Sequence, residues 1–227
     1  MEKLRISFFM ADSYPVFANY NYGFGGTEIN LFYISRELAK LPEFEVNFFV
    51  GDYGQRAVEK IDNVNLIKIR YLNPVKNTTF FHKIIARLIC CFYLTKDNSE
   101  IYLCSTASDF FAYIIFFCKI IRRKKVIFRV ASDLDVNGYF TNSKSVLGFL
   151  YRFALPRADA IITQTQDQKK FLKEIENLDS VQINNGFPIE EISINVSQKK
   201  TFLWVGRADP IKQPDLFLEL AKALSHL

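Results

Sequence analysis

The 227-residue chain is poor in the residues that bind metals or form disulfides: it has two histidines, His82 and His226, and four cysteines, with no C-x-x-C pair. Cys90, Cys91, Cys104 and Cys118 lie inside apolar stretches, so they read as core thiols of a reducing compartment. No ligand cluster surrounds either histidine, and structural or surface roles are expected for both. Zinc-finger spacing and an aromatic RNA-binding signature are both missing, and a net charge of +5 does not by itself point to nucleic acid. No apolar run reaches the roughly 20 residues that cross a bilayer. Met1-Glu2-Lys3 leads into a short strand without the apolar core of a signal peptide, so a cytoplasmic location is the expectation. What is present in quantity is hydrophobic: 49% of residues, including 23 Phe and 11 Tyr, enough for a large core and against disorder.

Strand-like and helix-like stretches alternate. Leu4–Met10, Glu45–Val50, Val64–Ile69, Ile101–Cys104, Val126–Val130, Ala160–Thr163 and Val181–Ile183 have the length and apolar content of strands. Between them, Leu31, Ile34, Leu38 and Leu41, and then Ile84, Ile85, Leu88, Ile89 and Phe92, recur at helical spacing. Further helices are expected over Phe110–Ile121, Val146–Leu155 and the stretch capped by Thr165, with Phe171 and Leu172 buried. Such alternation predicts an α/β fold, a doubly wound and mainly parallel sheet with helices on both faces. Residues 1–187 make up that domain and the polar stretch 188–200 reads as a linker. Residues 201–227 then supply a strand, Thr201–Val205, and a helix, Gln213–Ser225. One strand and one helix bury no core of their own, so this segment is expected to open a second domain whose remainder is missing.

The motif of greatest interest is Gly23-Phe24-Gly25-Gly26-Thr27-Glu28, between the first strand and the first long helix. Free N–H groups and the positive end of the helix dipole favour an anion there, and glycine lets it approach the backbone. A phosphate or carboxylate site is one reading, and a simple chain turn is the other. A dinucleotide fingerprint needs a third glycine where Glu28 stands, although Asp52 after the second strand could still hold a ribose. A nicotinamide-binding oxidoreductase module therefore stays as an alternative, as does a non-catalytic subunit that binds an acceptor or a partner protein. At the end of the fifth strand, Ser132, Asp133 and Asp135 face the side on which open α/β sheets bind ligands, and a turn cap is the other role for either aspartate.

Three stretches together resemble the retaining glycosyltransferases of family 4, also called group 1, which have the GT-B fold. They are Gly25-Gly26-Thr27-Glu28, Ala158-Asp159-Ala160-Ile161-Ile162-Thr163-Gln164-Thr165, and Phe202-Leu203-Trp204-Val205-Gly206-Arg207 with Lys212 and Pro214-Asp215. The resemblance implies a Rossmann-like, acceptor-binding N-terminal domain followed by the start of a donor-binding domain. It implies transfer of a sugar from a nucleotide-diphosphate donor to a glycan or lipid-linked acceptor, with retention and without a metal or other cofactor. Gly25, Gly26, Arg207 and Lys212 match positions that meet the donor's phosphates. Arg207 and Lys212, with Asp133, are the catalytic candidates, and Glu28, Ser132 and Asp135 are acceptor-cleft candidates. Many members carry a histidine where this chain has Ser132, and the family's paired glutamates have no counterpart before Leu227. By itself the chain is accordingly expected neither to transfer sugar nor to bind a sugar nucleotide tightly, unless a partner chain or the missing half supplies the rest. Lys83, Arg87 and Arg122–Lys125, near aromatic helices, suggest peripheral contact with anionic lipid.

Overall fold

The computed structural model describes residues 3–20, 25–72, 80–188, 202–206, 208 and 212–224. They fall into two compact units, Met1–Phe187 and Pro188–Leu227.

The first unit is an α/β domain. Its strands are β1 (Leu4–Phe9), β2 (Phe44–Val50), β3 (Val58–Ile61), β4 (Val64–Lys68), β5 (Ile101–Ser105), β6 (Lys125–Arg129), β7 (Ala160–Thr163) and β8 (Val181–Gln182). Its helices are α1 (Tyr14–Phe17), α2 (Gly26–Lys40), α3 (Phe80–Lys96), α4 (Asp109–Ile114, running on as a π-helical turn to Ile121), α5 (Val146–Ala154) and α6 (Gln166–Glu176). The strands form one sheet in the order β3-β4-β2-β1-β5-β6-β7-β8, parallel except for the β3–β4 pair.

Alternation along the central strands builds two cores. Ile6, Phe8, Val46, Phe48, Val50 and Leu103 pack with Leu31 of α2 on one face. Phe9, Phe49, Tyr102, Cys104 and Phe128 pack with Cys90 of α3, Phe111 of α4 and Tyr151 of α5 on the other. A helix layer on each face is why these strands carry apolar side chains on both faces. Cys90, Cys104 and Cys118 are buried in the second core, Cys91 is half-buried, and all four thiols are free. Burial pushes the Cys118 thiol up to about 12, which makes it inert. His82 is exposed, and His226 lies outside the described residues.

Three elements depart from the sequence-based expectation. The edge strand β3 was not expected, because half of Val58-Glu59-Lys60-Ile61 is charged. It exists because the two-residue turn Asp62-Asn63, with φ of 50° and 64°, returns the chain antiparallel onto β4. In α3 the buried stripe is Ala86, Cys90 and Leu94, while Ile84, Ile85, Leu88 and Phe92 are exposed. In the second unit residues 202–205 form no strand, which corrects the strand expected at Thr201–Val205. A strand is stabilised by ladder partners, and none pairs with these residues among those described. The unit's helix, α7 (Pro214–Ala223), has no buried residue.

Asp159, within one of the stretches that carry the family resemblance, sits at the amino end of β7, away from the ligand edge. Its carboxylate accepts the Val126 N–H at 2.9 Å and pairs with Lys119 at 3.0 Å and Lys125 at 3.3 Å. Partial burial opposes ionisation there, but the N–H and the two ammonium groups outweigh it and hold the acid below its ordinary value. The sign follows from linkage: a depressed folded-state pKa adds stability above the unfolded value of about 4, lost as pH falls through the folded value. Asp159→Asn is therefore expected to cost about 1 kcal/mol at neutral pH. Urea melts should show the gap to wild type closing as pH falls below the ordinary carboxylate value of about 4; a gap unchanged by acid would assign the cost to packing.

Candidate functional site

From β1 the chain winds through α2 to β2 on one side, then returns through α3 to β5 on the other. The winding thus reverses between β1 and β5, and the crevice for a ligand lies outside the carboxyl ends of the strands at that point. Met10–Ser13 after β1, the start of α2, Thr106–Ser108 after β5, Val130–Asp135 after β6, Gln164 after β7 and Asn184-Asn185 after β8 all lie on that edge.

Gly25 is the N-cap of α2, with φ of −90° and ψ of 172°, a conformation open to any residue. Its lack of a side chain gives room to Glu28: a Cβ there would sit 2.7 Å from Glu28 Oε2, whose carboxylate folds back over the cap and would have to swing aside. Gly26, by contrast, is exposed, and among the described residues nothing lies within 4 Å of where a Cβ would stand. Burial, and after it the charge of Glu28, pushes the Asp12 carboxyl up.

The two aspartates after β6 have different fates. Asp135 is buried, and its carboxylate accepts the N–H groups of Ala107 at 3.2 Å, Ala131 at 2.8 Å and Ser132 at 3.1 Å. Burial pushes its pKa up against the pull of these three donors. Such a carboxylate shapes the loop and has little capacity left for a ligand. Asp133 and Ser132 are exposed on the loop so formed, and the one described contact of the Asp133 carboxylate is with Gln168 Nε2 at 3.1 Å.

Sequence reasoning passed over Arg129, the last residue of β6. It is only 3% exposed, and its Nη2 donates to Asn30 Oδ1 on α2 at 3.3 Å and to Asn185 Oδ1 after β8. Among the described residues its Nη1 is buried without a partner. Asn185 in turn donates to Gln164 Oε1 at 2.7 Å, and Gln164 N–H donates to Gln168 Oε1 at 2.8 Å, so a chain of neutral amides runs from Arg129 to Asp133. The available signal was a lone arginine in the apolar strand Val126-Ile127-Phe128-Arg129-Val130.

Asp52, the ribose candidate, accepts the Gly54 N–H at 3.1 Å and pairs with Lys68 at 3.5 Å. Lys212 is exposed on the second unit. Gly23, Phe24 and Arg207 lie outside the described residues. Among the described residues no cluster of three or more His, Cys, Asp or Glu could hold a metal ion.

No protein-family model and no curated protein matches the chain. Among solved structures, a Listeria monocytogenes protein described as a UDP-N-acetylglucosamine 2-epimerase is similar at 14% identity with a TM-score of 0.47. The match covers 76% of this chain and 42% of that one, so this chain spans less than half of the protein it matches. At this distance the similarity bears on neither substrate nor reaction.

Proposed function

We propose that this chain is the acceptor-side part of an enzyme that moves a sugar, with retention, from a nucleotide-diphosphate donor to a glycan or lipid-linked acceptor. The observation that carries the proposal is the start of α2: Gly25 and Gly26 of the resembling motif stand at the carboxyl edge of the sheet, and among the described residues nothing lies within 4 Å of a Cβ at Gly26. Negative charge grows on the departing diphosphate during transfer, and fixed N–H groups in a helix's first turn stabilise it where it develops. The family resemblance would have Arg207 and Lys212 meet the donor's phosphates, and Asp133 would present its carboxylate to the reacting sugar or acceptor. Calorimetric titration of the 227-residue chain tests this. Lys212 is exposed, where a single charge contributes on the order of 1 kcal/mol or less. Weak, salt-sensitive binding of nucleotide-diphosphate sugars is therefore expected, with Kd roughly millimolar. Heat on adding NAD and none on adding the sugars would overturn the proposal in favour of a nicotinamide module.

Peripheral membrane contact forms part of the same proposal, on its own observation. Phe81, Ile84, Ile85, Leu88 and Phe92 lie along one exposed face of α3, and Phe116, Ile120 and Ile121 are exposed on the π-helical turn that packs against it. Arg123 beside them is exposed, and Lys124 is half-exposed. An apolar stripe flanked by cations suits shallow insertion among anionic headgroups. No described helix is long and apolar enough to cross a membrane. Co-sedimentation with phosphatidylglycerol vesicles is expected at low salt and should weaken as salt rises, and Leu88→Glu should abolish it. Absence of co-sedimentation at low salt would remove the idea.

A further inference from the structure

We propose that Arg129 is the base of a phosphate-binding site beneath the first turn of α2. The sugar-transfer proposal enters only in naming the carrier of that phosphate. Arg129 is buried at the carboxyl edge of the sheet with no carboxylate beside it among the described residues, and only amide oxygens meet its Nη2. Taking a guanidinium out of water without a counterion is strongly unfavourable. Burial is the cause that holds its pKa below the ordinary arginine value.

A purely structural tie between β6, α2 and the segment after β8 would account for Nη2. It does not account for Nη1, which is buried and unpaired among the described residues, nor for a charge buried with only amide oxygens beside it. An oxyanion satisfies both, since a guanidinium presents a fork of N–H groups that matches phosphate oxygens.

The second line of support is the placement of Asn30. It lies one turn after Gly26, and residues four apart share a face of a helix. Arg129 therefore meets α2 on the face that carries the open glycine. Asn185 belongs to an exposed stretch, and its carboxamide oxygen holds the place on the guanidinium that one phosphate oxygen would take. Its displacement, with that of the Glu28 carboxylate from over Gly25, would bring an anion against both the guanidinium and the helix N–H groups.

Melting curves with inorganic phosphate and pyrophosphate, against chloride at equal ionic strength, test the site. Wild type is expected to be stabilised by the phosphates beyond chloride, and Arg129→Met to bind them about ten- to a hundredfold more weakly. Without phosphate the Met variant should be at least as stable as wild type, because no charge is then buried. Asn185→Ala should tighten phosphate binding and decides the matter if the Met variant does not fold. No phosphate-specific stabilisation of wild type, equal stabilisation of the Met variant, or unchanged binding by Asn185→Ala would overturn the proposal. Parallel titrations with a nucleoside diphosphate and a hexose 1-phosphate identify the carrier. A protein that answers to phosphate through Arg129 but to no sugar nucleotide would retain this site and lose the sugar-transfer proposal.

Discussion

Gly26→Val is expected to lower sugar transfer by about a hundredfold or more in a preparation that is active, which is the effect of losing one fixed oxyanion donor. The substitution should leave the fold intact, because among the described residues nothing lies within 4 Å of where the new Cβ would stand. Valine is also a somewhat better helix former than glycine, so a small gain in stability is expected. Its branched side chain would instead occupy the space through which a diphosphate approaches the first turn of α2. Kinetics and circular dichroism on the same sample check this. A folded variant with normal kcat/KM would reduce Gly26 to a turn residue. Gly25→Ala should act differently, by pushing the Glu28 carboxylate off the cap.

Asp135→Ala is expected to destabilise the first unit by about 3 kcal/mol, a large fraction of a domain's usual 5–15 kcal/mol. Three N–H groups, of Ala107, Ala131 and Ser132, lose their acceptor at once. Water reaches these partly exposed residues and offsets some of the loss, which keeps the figure below the sum of three fully buried orphans. Asp135→Asn keeps one acceptor oxygen and should recover part of the stability. Urea melts measure both, and a loss under 1 kcal/mol for the alanine variant would show that the loop does not depend on this carboxylate. Asp133→Ala, on the exposed side of the same loop, should leave stability nearly unchanged.

The contrast between these two aspartates shows how much of the site was legible in the sequence. Ser132, Asp133 and Asp135 were all visible as polar residues following an apolar strand, and all were equally eligible for a ligand. Which of them is saturated by backbone depends on Ala107, which lies 28 residues from Asp135. Arg129 was harder to see, because its surroundings in sequence are those of an ordinary core strand. Its partners Asn30 and Asn185 lie 99 and 56 residues away.

By itself the sequence determined what short-range physics controls: the apolar strands, the helical spacing between them, the Thr165 cap on α6, and a glycine turn before a helix. These depend on side-chain periodicity and local hydrogen bonds, which are present before any long-range contact forms. Tertiary structure alone decided which apolar stripe of α3 is buried, because two were available and only docking on the sheet distinguishes Ala86, Cys90 and Leu94 from their neighbours. It decided that the charged segment Val58–Ile61 is a strand, since β4 supplied the ladder. It also decided that an arginine stands buried without a counterion beneath α2, a matter of where β6 and α2 meet in space rather than of anything local to either.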